Sequence, residues 1–165
     1  MGNTMTFFAG NADKIGPALA NESPRQLYEL RRLPDSPTQS DFLGEVDFSM
    51  HLGFDNLDDL SREAGKVLQR EPICLSQAIG RCVAGDSEKA WEMRDWSADV
   101  VKPAWVDQFP AIPDSAVAGL ASAWAMSLEV DLSEATHIPE AIVDLIRLCR
   151  RASSVKADVV FSWSA

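Results

Sequence analysis

Apolar and polar positions separate most cleanly in two stretches of the chain, and the other elements are read around them. From Glu45 to Leu52, Val46, Phe48, Met50 and Leu52 fall on one side and Glu45, Asp47, Ser49 and His51 on the other, the period of two that predicts a half-buried strand. From Pro139 to about Ala152, Ile142, Leu145, Ile146 and Cys149 recur at i, i+3, i+4 and i+7, which predicts a helix with one buried stripe. Glu140 in its first turn and Arg147, Arg150 and Arg151 in its last two complement the helix dipole. A terminal strand follows from Lys156 to Trp163, with Ala157, Val159, Phe161 and Trp163 on its apolar face and Asp158, Val160 and Ser162 on the other.

Weaker patterns fill the remainder. Met5, Phe7 and Phe8 make Thr4 to Ala9 an opening strand, and Gly16-Pro17 is expected to break the helical turn of Ala12 to Ala20. Ser23, Pro24 and Gln26 read as the cap, first position and capping-box partner of a helix carrying Leu27, Leu30 and Leu33. Residues 34 to 41 read as a solvated loop. Asp55 is expected to cap a helix burying Leu57, Leu60, Ala64, Val67 and Leu68, with Asp58 and Asp59 in its first turn. Ile73 to Val100 reads as two helical pieces divided at Gly85-Asp86, the second presenting Ala90, Trp91 and Arg94. Pro103, Pro110 and Pro113 punctuate a loop packed by its own aromatics, and Asp114 to Leu128 forms a helix with Val117, Leu120, Ala121, Trp124 and Leu128 on one side. The sum is an α+β domain: a small sheet of about three or more strands, flanked by about six helices, with both chain ends entering the sheet and the 45 to 52 strand beside one or both of them.

Length and composition sharpen this picture. At 165 residues the chain is read as one globular domain over 1–165, large enough to remove roughly 70% of its unfolded surface from water. Three cysteines, Cys74, Cys82 and Cys149, each among apolar residues, fit reduced core thiols better than a disulfide framework. Without an 18-residue apolar run or a signal-peptide pattern, the expected location is the cytoplasm. A net charge of -10 repels nucleic-acid phosphates and anionic membranes and favours a cationic partner.

Candidate chemistry is sparse. His51, His137 and the cysteines show no metal-chelating spacing, so neither a metal nor a cofactor is expected, and phosphate-binding and nucleophile-elbow loops have no counterpart. The distribution of charge says more. Asp41 to Glu63 holds seven acids against Arg62, and Asp86 to Asp144 holds twelve against Lys89, Arg94 and Lys102. If Asp41 to Glu63 and Asp86 to Asp99 share a side of the fold, they form a negative face, and among five tryptophans Trp96 and Trp105 are the better anchor candidates.

The opening aromatic strand (Met5 to Ala9), the tryptophan segment before a helix (Trp105 to Leu120), and the closing helix and strand (Asp144-Leu145 through Val159-Val160-Phe161) resemble the layout of small bacterial YfbM-like proteins and of the acidic single-domain immunity proteins of bacterial toxin systems. The resemblance carries over no functional residue. It implies a cytosolic α+β protein without chemistry of its own, whose task is to bind and block a toxin. The leading expectation is therefore an immunity or inhibitor protein that occludes a basic toxin or another basic protein, with Asp47, Asp58, Asp59, Asp95 and Trp96 as contact residues and no catalytic residue. A small hydrolase with a carboxylate and histidine pocket is one alternative; a homodimeric scaffold built on an edge strand or tryptophan patch is another.

Overall fold

The computed structural model describes residues 4–21, 42–48, 52–90, 93–128 and 138–164. Five strands, β1 (Thr4–Gly10), β2 (Phe42–Asp47), β3 (Ile79–Gly85), β4 (Trp96–Val101) and β5 (Asp158–Ser164), form one sheet in the order β2-β1-β5-β4-β3. Every neighbouring pair is antiparallel. The described helices are α1 (Ala12–Ala20), α2 (Phe54–Leu68), α3 (Leu75–Ala78), α4 (Pro103–Val106), α5 (Asp114–Ser127) and α6 (Ile138–Val155). The class is α+β as expected, and both ends of the chain do enter the sheet: β1 and β5 pair without interruption from Thr4↔Ser164 to Gly10↔Asp158. The strand predicted over 45 to 52 is found in part: β2 lies beside β1, starts earlier, at Phe42, and ends at Asp47; residues 49 to 51, with His51, and the helix expected after Ser23 lie outside the described residues.

One face of the sheet carries the main core. Phe7 stacks on Trp105 at 5.2 Å and packs on Phe161 at 4.7 Å. Leu57 and Leu60 from α2, Leu120 and Trp124 from α5, and the stripe Ile142, Leu145, Ile146 and Cys149 from α6 close over them. Trp105, expected as a binding anchor, is a core residue instead. It is fully buried, and its Nε1–H donates to Ser61 Oγ at 2.9 Å, whose hydroxyl donates to the Leu57 carbonyl at 3.0 Å, which satisfies both polar groups without water. The opposite face is smaller. There α1 covers Phe8, Phe42, Ala84, Ala98 and Val160.

The sheet has more strands than the sequence pattern suggested, because among its described residues the stretch read as helical from Ile73 to Val100 holds the four-residue α3 and then β3 and β4. In β4, Ser97, Ala98, Asp99 and Val101 are all buried, so both faces are covered and the period-two contrast that marks a half-buried strand is missing.

Three other expectations change. The helix α1 runs through Gly16-Pro17 unbroken, since a Cβ at Gly16 would lie 2.5 Å from the Val83 carbonyl oxygen; close approach to β3 requires glycine there and the contact outweighs its poor helix propensity. The N-cap of α2 is Gly53, whose N–H donates to Asn56 Oδ1 at 2.8 Å, and Asp58 lies beyond the first turn. The last helix continues past Ala152 to Val155. It ends with Lys156 at φ 56°, Ala157 N–H donating to the Ala152 carbonyl at 2.9 Å and Lys156 N–H to the Ser153 carbonyl at 3.3 Å, the double bond of a Schellman cap.

Candidate functional site

The antiparallel register gathers particular chain segments at one end of the sheet. Thr4 and Trp96 both pair with Ser164, Thr6 with Asp47, and Gly85 with Ser97. The end of β2, the end of β3 and the start of β4 therefore meet where β5 finishes. The first residue of α2 is brought to the same place, because Phe54 packs edge-on against Trp163 at 5.4 Å and Phe161 at 5.2 Å. Each segment contributes exposed acid: Asp47 from β2, Asp55 from α2, and Asp86, Glu88 and Asp95 from the β3–β4 connection. Lys89, 3.4 Å from Asp86, is the one exposed cation among the described residues of this rim. Three strand spacings, roughly 14 Å, separate β2 from β4, more than the ~8 Å screening length of physiological salt. The carboxylates at the two sides therefore repel each other little in water, while all of them act on a charge brought up to that end.

The β3–β4 connection is tied down by a buried ion pair. Asp99, wholly inaccessible, faces Cys82 on one side and Phe161 on the other in register. Arg94, with a side chain 8% exposed, donates from Nη1 to Asp99 Oδ1 at 2.6 Å and from Nε to the Lys89 carbonyl at 3.0 Å. The hydroxyl of Ser97 donates to the second carboxylate oxygen. A buried charge needs such partners to be tolerated, and the geometry that satisfies it ties Arg94 and the Lys89 carbonyl to the sheet. The turn leaves Met93 73% exposed and Asp95 facing solvent. Burial, and then the charge of Asp99, push the Cys82 thiol up, so this cysteine is not activated as a nucleophile.

Of the residues singled out in the sequence, Asp47, Asp95 and Trp96 come together at this end. Trp96 is partly buried and packs with the smaller apolar cluster. Asp59 lies one turn into α2 and pairs with Arg62. Asp58 is corrected as a contact residue: it is 7% exposed and accepts from the Ser76 N–H at 3.0 Å and from the Ser76 hydroxyl, capping α3 from inside the fold. The acids that pattern reading missed, Asp55, Asp86 and Glu88, carried the same signal as the others; their convergence depends on register. Asp99 did carry a local sign, a carboxylate set among Ala98, Val100 and Val101 with Arg94 five residues before it.

Among the described residues no group of three His, Cys, Asp or Glu is placed to hold a metal ion, and no helix is long and apolar enough to cross a membrane. His51, His137 and Trp91 lie outside the described residues. Comparison with protein-family models, with curated proteins and with solved structures gives no match for this chain.

Proposed function

We propose that this protein binds and blocks a basic protein partner through the acidic rim at the Ser164 end of its sheet, in the manner of an immunity or inhibitor protein directed at a bacterial toxin. The observation that carries the reading is the gathering of five exposed carboxylates, from the end of β2, the start of α2 and the β3–β4 connection, with Lys89 the one exposed cation among the described residues of this rim. Such a field steers a cationic partner and discriminates against anionic ones. The buried Arg94–Asp99 pair supports it by anchoring Arg94 and the Lys89 carbonyl beside the exposed acids before binding, which lowers the ordering cost. Met93, exposed beside Asp95, supplies an adaptable apolar contact within the charged rim. Contact residues under this reading are Asp47, Asp55, Asp95, Met93 and Trp96, with Asp59 on its flank. Self-association through the same end is opposed by like charge.

The test is binding of the product of the adjacent open reading frame, measured by stopped-flow association and calorimetry. Association is expected to slow about tenfold or more between low and high salt, and the D47K/D55K/D95K variant to lose at least about tenfold in affinity. Affinity unchanged in that variant, with the fold intact by circular dichroism, overturns the reading.

A further inference from the structure

A second feature lies at the opposite end of β5, six residue steps or roughly 20 Å from the rim. Here a cleft of about 310 Å³ opens between α4 and the turn that joins α6 to β5. Its apolar part is formed by Val100, Pro103 and Ala157 at the mouth and by Val101, Val106 and Val159, the last three nearly inaccessible, at the floor. Its polar part is Asp107, Ser153, Lys156 and Asp158.

The two carboxylates of this cleft are held in place. Ser153 Oγ donates to Asp107 Oδ1 at 2.8 Å, and Asp158 Oδ2 accepts from the Ala12 N–H at 3.2 Å. Each carboxylate keeps lone pairs beyond these bonds. Lys156 belongs to no ion pair among the described residues, although two carboxylates line the same cleft. It also occupies the left-handed position of the Schellman cap, where glycine is the usual residue. The chain therefore keeps a long cationic side chain at a backbone site that disfavours it.

A cleft with one cation, two anions and an apolar floor is poorly matched to a simple anion or a simple cation, each of which meets a like charge. A molecule bearing both charges a few bonds apart satisfies both. The volume is at the small end of ligand sites. We propose that this cleft binds a free α-amino acid with a short aliphatic side chain, its carboxylate directed to Lys156, its ammonium to Asp107 and Asp158, and its side chain to the valine floor.

The probe is L-valine, titrated into the full chain and followed by two-dimensional NMR, with isovalerate and isobutylamine as analogues that each keep one charge. Saturable shifts confined to the resonances of Val101, Val106, Ala157 and Val159 are expected, with each analogue at least about tenfold weaker. Lys156→Gly is the informative variant because it suits the left-handed backbone: its thermal midpoint should match or exceed the native one while valine affinity falls about tenfold or more. Asp107→Asn should weaken valine as well. The rim variant D47K/D55K/D95K should bind valine normally, which separates this site from the partner surface. The proposal is overturned if valine produces no saturable shift, if isovalerate binds as well as valine, or if Lys156→Gly binds valine as the native chain does.

Discussion

The guanidinium of Arg94 and the carboxylate of Asp99 meet at 2.6 Å in the interior, one at the start of the approach to β4 and the other in its centre. Removing either partner leaves an uncompensated buried charge, which costs about 3–5 kcal/mol. Asp99→Ala and Arg94→Met are each expected to lower stability by that amount in urea unfolding. The double variant Arg94→Met/Asp99→Leu should recover most of the loss. If it is as unstable as the single variants, the pair is not the source of the effect.

Cys149 is completely buried, and burial, with a smaller contribution from Asp107, pushes its thiol far above its ordinary value of 9.0; Cys74 and Cys82 are raised too, chiefly by burial. A folded-state value above the unfolded one means that the contribution is fully present below pH 9 and is lost as pH rises beyond it. The urea midpoint should fall between pH 8 and pH 10, and the fall should be shallower in Cys149→Ala. Thiol titration should find Cys149 unreactive until the chain unfolds.

At Gly16 two effects oppose each other. Alanine improves helix propensity by about 1 kcal/mol, but its Cβ would sit 2.5 Å from the Val83 carbonyl oxygen and 2.9 Å from the Val83 Cβ. Backbone cannot yield cheaply, and overpacking costs about 1–3 kcal/mol. Gly16→Ala is therefore expected to lower the thermal midpoint; a rise would mean that α1 does not approach β3 this closely.

Gln69 ends α2 at φ 52°, with Arg70 N–H donating to the Gly65 carbonyl at 3.1 Å and Gln69 N–H to the Lys66 carbonyl at 3.2 Å. The left-handed backbone costs a side chain about 1–2 kcal/mol, and part of that is offset by the greater unfolded-state freedom of glycine. Gln69→Gly should raise stability by about 0.5–1 kcal/mol in chemical denaturation. A loss would show that the Gln69 side chain contributes packing that outweighs the strain.

How much of this protein was written along its sequence follows from which contacts are local. The stripe of α6, the alternation of Val46 and Phe48 against Glu45 and Asp47, and the entry of both chain ends into the sheet were legible, because periodicity reports directly which side of an element faces apolar surroundings. The strands β3 and β4 were not. With both faces of β4 buried, including Ser97 and Asp99, its sequence has no alternation to read, and the polarity of those two residues is explained only by Arg94 arriving from outside the strand. The unbroken α1 was decided by Val83, sixty-seven positions away, and the inward turn of Asp58 by Ser76. Net charge predicted a preference for cationic partners, but charge along a chain has no direction. Antiparallel register, set by pairing across distant segments, placed Asp47 and Asp95 at one end and the Lys156 cleft at the other, and the packing of Phe54 on Trp163 brought Asp55 to the first.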